Sequence, residues 1–301
     1  CVPMLPEELS GDACSLKPDE DRLAFSVRYT VRPDGRLGKA KAWPSIIRSR
    51  RRCTYAEVAG WLAEPPEAWP AETAEFARSL AWCHEAARRL SRARHDAGSL
   101  DFDLAEPLLL LDDEGTVVSV RPAPRTAAHR MIEELMVAAN RVVAEMLIAA
   151  GQPALHRIHD RPDPRRLDEL AASLAQVGIE VDWDPAAVGV RDLQAVLAEV
   201  AGKPAERMVS MLVLRSLARA LYSPEPRGHY ALAAEAYAHF TSPIRRYPDL
   251  VVHRMLRRLL AEGRPVAEEE AATLERRYAE LGEHCSAREQ RAEAAERMAV
   301  Q

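Results

Sequence analysis

His229 to Leu256 reads H-Y-A-L-A-A-E-A-Y-A-H-F-T-S-P-I-R-R-Y-P-D-L-V-V-H-R-M-L, and the reading of the whole chain turns on it. Thr241 and Ser242 stand just before Pro243, the pattern of a turn or helix entrance whose hydroxyls can cap backbone N–H groups or reach a phosphate. Arg245 and Arg246 follow within one turn, beside Tyr247. A helix entrance offers unpaired N–H groups and a positive dipole end, and a guanidinium is a planar, permanently charged fork suited to phosphate oxygens. Thr241, Ser242, Arg245 and Arg246 together therefore describe an anion site. The same residues also fit a plainer pattern, with the arginines in surface ion pairs and Pro248 simply opening the next helix.

Working outward, the 301 residues are 48% hydrophobic and 29% charged, the balance of a folded globular chain. The longest apolar runs, Leu108 to Leu111 and Val142 to Ala150, fall well short of the roughly 20 residues needed to cross a bilayer, so no membrane span is expected. The first residues mix prolines and acids and show no secretory signal. Cys1, Cys14, Cys53, Cys83 and Cys285 are scattered, without zinc-site spacing, and read as reduced thiols of a cytoplasmic protein. A net charge of −5 argues against a surface coated in positive potential, so any nucleic-acid binding needs a local basic groove. The opening at Cys1 and the uncapped helical pattern that runs to Gln301 suggest a piece of a longer chain, and a monomer is favoured.

Alternation at Phe25, Val27, Tyr29 and Val31 has the period of a half-buried strand, and Arg32-Pro33-Asp34-Gly35 supplies the turn into a partner strand over 37–43. A second hairpin is expected from Leu108 to Leu111, the turn Asp112-Asp113-Glu114-Gly115, and Thr116 to Val120. Apolar residues at three- and four-residue intervals predict helices over 71–95, 126–150, 164–176, 191–200, 204–222, 248–262 and 266–298, with short strands at 155–159 and 229–233. This order points to an α+β fold, a largely antiparallel sheet covered by many helices, in a single domain. His156 and His159, in a strand followed by a proline turn, read as structural rather than as metal ligands.

Tyr237 to Leu250 resembles the signature of the RNase II/RNase R (RNB) family of exoribonucleases. The likeness extends along the chain in the family's order. It includes Pro3-Met4-Leu5-Pro6, Cys14-Ser15-Leu16 and Asp21-Arg22-Leu23, then Ile132 to Met136 with Ala139-Asn140, then Arg157 to Pro162, and last Leu281 to Ser286 with the helix through Arg297.

The resemblance implies an RNB-type catalytic fold, partial here, that hydrolyses single-stranded RNA from its 3′ end with Mg²⁺ and releases nucleoside 5′-monophosphates. In that chemistry metal ions activate water and stabilise the leaving oxygen, while the protein adds positive charge for the phosphate and aromatic faces for the bases. Arg245, directly after Ser242-Pro243-Ile244, matches the family's essential arginine, with Arg246 as its neighbour. Tyr55 matches a tyrosine that packs on the 3′-terminal nucleotide, and Phe102 an aromatic that clamps the outer end of the base stack. Glu133 or Glu134, with Glu134 preferred, corresponds to a glutamate near the terminal ribose, and Glu296 to one close to the reaction centre.

The likeness breaks at the metal site. The family's acidic run, expected ahead of Pro3-Met4-Leu5-Pro6, is missing, and Asp19-Glu20-Asp21, Asp112-Asp113-Glu114 and Glu268-Glu269-Glu270 lie elsewhere. No Mg²⁺ ligand is assigned within the chain, and neither cold-shock domains nor a C-terminal RNA-binding barrel are expected in it. Two functions stay open: part of an active 3′-to-5′ exoribonuclease whose aspartates lie upstream, or a catalytically inactive RNB-like scaffold that binds RNA.

Overall fold

A computed structural model describes residues 3–102, 107–112, 114 and 116–300. The first hairpin forms as the alternation predicts: β1 (Asp21–Val31) pairs antiparallel with β2 (Leu37–Arg48), in a register that sets Phe25 opposite Pro44. Its turn requires glycine at Gly35, where φ is +79° and a Cβ would come within 2.2 Å of the Arg89 carbonyl oxygen. Two further antiparallel pairs follow, β3 (Pro107–Leu111) with β4 (Val117–Pro122) and β5 (His156–Ile158) with β6 (Leu221–Ser223). Within the second turn Asp113 and Gly115 lie outside the described residues, while the Asp112 carboxylate accepts N–H bonds from Glu114 and Thr116. The strands are antiparallel, as expected, but they divide into three two-stranded sheets among the described residues.

Helices dominate: α1 (Tyr55–Leu62), α2 (Ala77–Ala97), α3 (Ala127–Ala149), α4 (Pro164–Gln176), α5 (Val190–Val200), α6 (Glu206–Ser216), α7 (Tyr247–Glu262) and α8 (Glu268–Val300). Three expectations are corrected. The helix expected over 204–222 ends at Ser216, because Leu217 turns extended and Leu221–Ser223 is recruited as a strand by β5 and by the Ser286 hydroxyl, which accepts the Tyr222 N–H at 3.0 Å. The strand expected at 229–233 is a 3₁₀ turn over Tyr230–Leu232, closed by Ala233 in the left-handed region. The helix expected from residue 71 begins at Ala77, after a separate 3₁₀ turn at Ala71–Thr73.

The main core gathers Val143, Ala144 and Leu147 of α3, Leu155, Ala238, Phe240, Val252 and Leu256 of α7, and Tyr278 of α8. Helix α8 can lie against β6 because position 282 is glycine, where a Cβ would stand 2.5 Å from the Tyr222 carbonyl oxygen. A second core joins α4, α5 and α6 through Leu167, Leu174, Leu193, Val209 and Val213. A third seats α1 on α2 and α3 through Val58, Ala87 and Met131. No helix among the described residues is long and apolar enough to cross a membrane.

Candidate nucleic-acid interface

The turn that carries Thr241, Ser242, Arg245 and Arg246 lies between the core strand-like segment at Ala238–Phe240 and α7. The Ser242 carbonyl accepts the backbone N–H groups of Arg245 (3.2 Å) and Arg246 (3.1 Å). Helix α7 itself starts only at Tyr247, with Arg246 as its N-cap, so Thr241 and Ser242 do not cap it as the sequence suggested. The physical reason lies in Asp249. Its carboxylate, fully buried in the first turn of α7, reaches back to accept the Ser242 N–H at 2.7 Å and an Arg246 guanidinium N–H at 2.8 Å. A buried anion at a helix N-terminus is favoured by the dipole and stabilised further by its charged partner.

The two arginines are thereby given different roles. Arg246 is bound to Asp249, with its side chain only 20% exposed. Arg245 is exposed and makes no side-chain hydrogen bond or ion pair among the described residues. A guanidinium held on a braced turn without a protein partner is available to an anion from solution. Thr241 Oγ1, Arg246 Nε and Asp249 Oδ2 on this turn are buried without partners, an unusual concentration of unmatched polar atoms.

Behind the turn, Asn140 of α3 accepts the N–H groups of Phe240 (3.0 Å) and Thr241 (3.2 Å) and donates to the Tyr237 hydroxyl (2.9 Å). His253 of α7 lies flat on Phe240, with ring centroids 4.1 Å apart, and its Nε2 is 2.8 Å from the Phe240 carbonyl oxygen. On the far side, His239 bonds the Tyr222 hydroxyl through Nδ1, and the Arg157 guanidinium sits 4.6 Å over the Tyr222 ring. Burial, with Arg246 and Arg157 nearby, pushes the His239 imidazole down to about 2, so it is neutral at ordinary pH.

Tyr55 is the first residue of α1, fixed there by a capping box in which Thr54 and Glu57 exchange hydrogen bonds. Tyr55 is 47% exposed, and its ring stacks on His129 at the start of α3, with centroids 3.9 Å apart and planes 15° from parallel. His129 is itself held through Nδ1, 2.8 Å from the Thr126 hydroxyl. Tyr55 is therefore no core residue, and one of its faces is backed by a fixed ring.

The glutamate pair separates. Glu134 is buried and held by Arg94 through both carboxylate oxygens, with an Nε–H bond of 3.2 Å. Glu133 is half-exposed and pairs with Arg125, which also holds Asp101 beside Phe102. Phe102 lines a cleft of about 940 Å³ together with Arg157, Arg219, Glu289 and Arg297. Glu296 is exposed near the end of α8, makes no side-chain hydrogen bond or ion pair among the described residues and does not line that cleft.

His159 has both ring nitrogens engaged, Nε2 by the Ala218 carbonyl (2.8 Å) and Nδ1 by the Ala231 N–H (3.1 Å), which is the structural role expected of it. Burial holds His156 at about 4. Among the described residues no three His, Cys, Asp or Glu side chains come together in a way that could hold a metal ion. Glu20, Asp21 and Glu270 of the acidic runs are each engaged by an arginine. The described residues do not fit a Mg²⁺ site.

Sequence reading overlooked Asn140 and Asp249 as parts of this turn. The signal for Asn140 was available: it stands three, four and seven residues ahead of Val143, Ala144 and Leu147, a polar residue on an otherwise apolar stripe.

A braced turn with an exposed, unpaired guanidinium on a helix-rich α+β scaffold is the arrangement to be compared with known families. The model of the RNB domain matches residues 1–262, and the chain belongs to the RNB family. It is 40% identical over 297 residues to ribonuclease R of Aquifex aeolicus, covering 99% of this chain and 41% of that protein. The solved apo form of Mycoplasma genitalium RNase R superposes with a TM-score of 0.89 at 28% identity, covering 99% of this chain and 46% of that one. The same enzyme in complex with ribose-methylated single-stranded RNA gives a TM-score of 0.89 at 27% identity. The chain thus spans less than half the length of these relatives.

Proposed function

We propose that this chain, as one domain, is the RNA-gripping part of a 3′-to-5′ exoribonuclease of the cytoplasm that hydrolyses single-stranded RNA to nucleoside 5′-monophosphates with Mg²⁺. The observation that carries the reading is a stripe on α3. His129, Glu133 and Asn140 are spaced four and seven residues apart, which brings them within about 40° of one another around the helix and spreads them over about 16 Å. His129 backs Tyr55, Glu133 joins the Arg125–Asp101 pair beside Phe102, and Asn140 braces the turn bearing Arg245. A stacking ring and a carboxylate are thus ranged along one helix face whose far end braces the turn bearing the unpaired guanidinium, the combination that suits a base, a ribose hydroxyl and a phosphate.

In this reading Arg245 holds the phosphate under attack, Tyr55 stacks on the terminal base, and Phe102 borders the cleft through which the strand approaches. Glu134 is held by Arg94 in the core and Glu133 by Arg125 at the surface, so the more exposed Glu133 is the carboxylate that a ribose hydroxyl can reach. Thr241, Ser242 and Arg246 shape the turn, and Glu296 is assigned near the reaction centre on the family resemblance alone. In this reading the carboxylates for Mg²⁺ come from outside this sequence, in keeping with the absence of an assembled acidic cluster among the described residues.

A second reading is an RNB-like scaffold that binds RNA without cutting it, since the unpaired Arg245 and the exposed Tyr55 ring serve binding as well as cleavage. Both are separated by incubating 5′-labelled single-stranded RNA and Mg²⁺ with this chain, alone and joined to the coding segment upstream of it. The expected result is binding without shortening by the chain alone, and stepwise loss from the 3′ end once the upstream segment is attached. Binding without shortening in both cases favours the scaffold. Shortening by the chain alone overturns the assignment of the metal ligands, and absence of binding overturns the RNA reading.

A further inference from the structure

We propose that Asn140 and Asp249 are positioning residues that set the Arg245 guanidinium for its phosphate, an inference that deepens the RNA reading above and rests on it. Every backbone N–H from Phe240 to Ser242 is bonded by a side chain from a helix. Asn140 of α3 accepts the first two, at 3.0 and 3.2 Å, and Asp249 of α7 accepts the third, at 2.7 Å. The Ser242 carbonyl then closes the turn on the N–H groups of Arg245 and Arg246. Arg245 is therefore placed by two clamps from different helices, neither of which touches it.

Burial makes these clamps stiff. Asn140 is 3% exposed and Asp249 is fully buried, so water cannot replace their oxygens without opening the core. Asp249 does a second job by binding Arg246, which keeps that guanidinium from competing with Arg245 for an anion. Asn140 Nδ2 donates to the Tyr237 hydroxyl, tying the amide's orientation to the neighbouring segment and leaving its oxygen for the turn. Preorganisation of this kind matters because a charged side chain on a loose turn must be ordered at the moment of binding.

A double-mutant cycle on RNA affinity tests the proposal, since a merely structural role would lower stability without coupling to Arg245. Binding of a short single-stranded RNA to the full chain is measured for Arg245→Ala, Asn140→Ala and the pair. The expected result is about tenfold weaker binding for each single variant and less than about threefold further loss in the pair. Asn140→Asp, which keeps an acceptor for both amides and can take a hydrogen bond from Tyr237, restores the full effect of Arg245→Ala. Should the alanine variant not melt cooperatively, Asn140→Ser, whose hydroxyl is too short to reach both amides, replaces it in the same cycle. Strictly additive losses, or wild-type affinity with alanine or serine at 140, overturn the positioning role while leaving the RNA reading intact. An Arg245→Ala variant with unchanged affinity sinks the RNA reading itself.

Discussion

Replacing Arg94 with Met removes one partner of the most deeply buried ion pair on α3. Its side chain is 10% exposed and that of Glu134 is 9% exposed, and both Glu134 oxygens are bonded by the guanidinium. Methionine fills much of the volume but leaves a buried carboxylate without a cation, and breaking such a pair costs about 3 to 5 kcal/mol. With an unfolding entropy of about 2 cal/mol/K per residue, 301 residues give about 0.6 kcal/mol/K, so a loss of about 3 kcal/mol lowers Tm by about 5 °C. Thermal melts followed by circular dichroism at pH 7.5 measure it directly. Adding Glu134→Leu should return most of the loss, because the stranded charge is gone and an apolar pair packs in its place. A single variant that melts within about 1 °C of the parent would refute the burial argument and return Glu134 to the pool of groups free to meet RNA.

Other outcomes follow from the same structure. His156 and His229 are held by burial at about 4 and about 3, so both are neutral in the fold and protonate readily once unfolded. The unfolded chain then binds more protons below about pH 6.5, and stability falls by about 1.4 kcal/mol per pH unit for each histidine down to about pH 4. A Tm that is flat between pH 7.5 and 4.5 would contradict this. Gly282→Ala places a Cβ 2.5 Å from the Tyr222 carbonyl oxygen and should cost about 1 to 3 kcal/mol in a denaturant titration, whereas an unchanged midpoint would show that α8 shifts freely. Tyr55→Ala should weaken RNA binding by about 1 to 3 kcal/mol through lost stacking, and Tyr55→Phe by much less; equal losses would assign the contact to the hydroxyl.

Much of this architecture could be read in advance, and the failures have physical causes. The first hairpin was legible because Phe25, Val27, Tyr29 and Val31 alternate and Gly35 supplies a turn that no other residue fits. The run 204–222 looked helical throughout, but its last residues were claimed by β5 and Ser286, partners more than sixty positions away along the chain. Local propensity does not register such pairings. The site divides in the same way. Arg245 and Arg246 stood out as a pair, yet only the fold reveals that Asp249 holds one and leaves the other unpaired. Glu133 and Glu134 were indistinguishable by composition, and only the fold shows that Arg94, forty residues away, takes Glu134 into the core while Arg125 holds Glu133 at the surface.

If Arg245 meets an RNA phosphate, as proposed, the salt dependence of binding reports that contact. Affinity for single-stranded RNA is measured over a range of salt concentrations for the parent and for Arg245→Ala. One phosphate contact contributes about 0.7 to the slope of log affinity against log salt, so the variant should bind more weakly at low salt with a slope shallower by about that amount. Identical affinities and identical slopes would contradict the account.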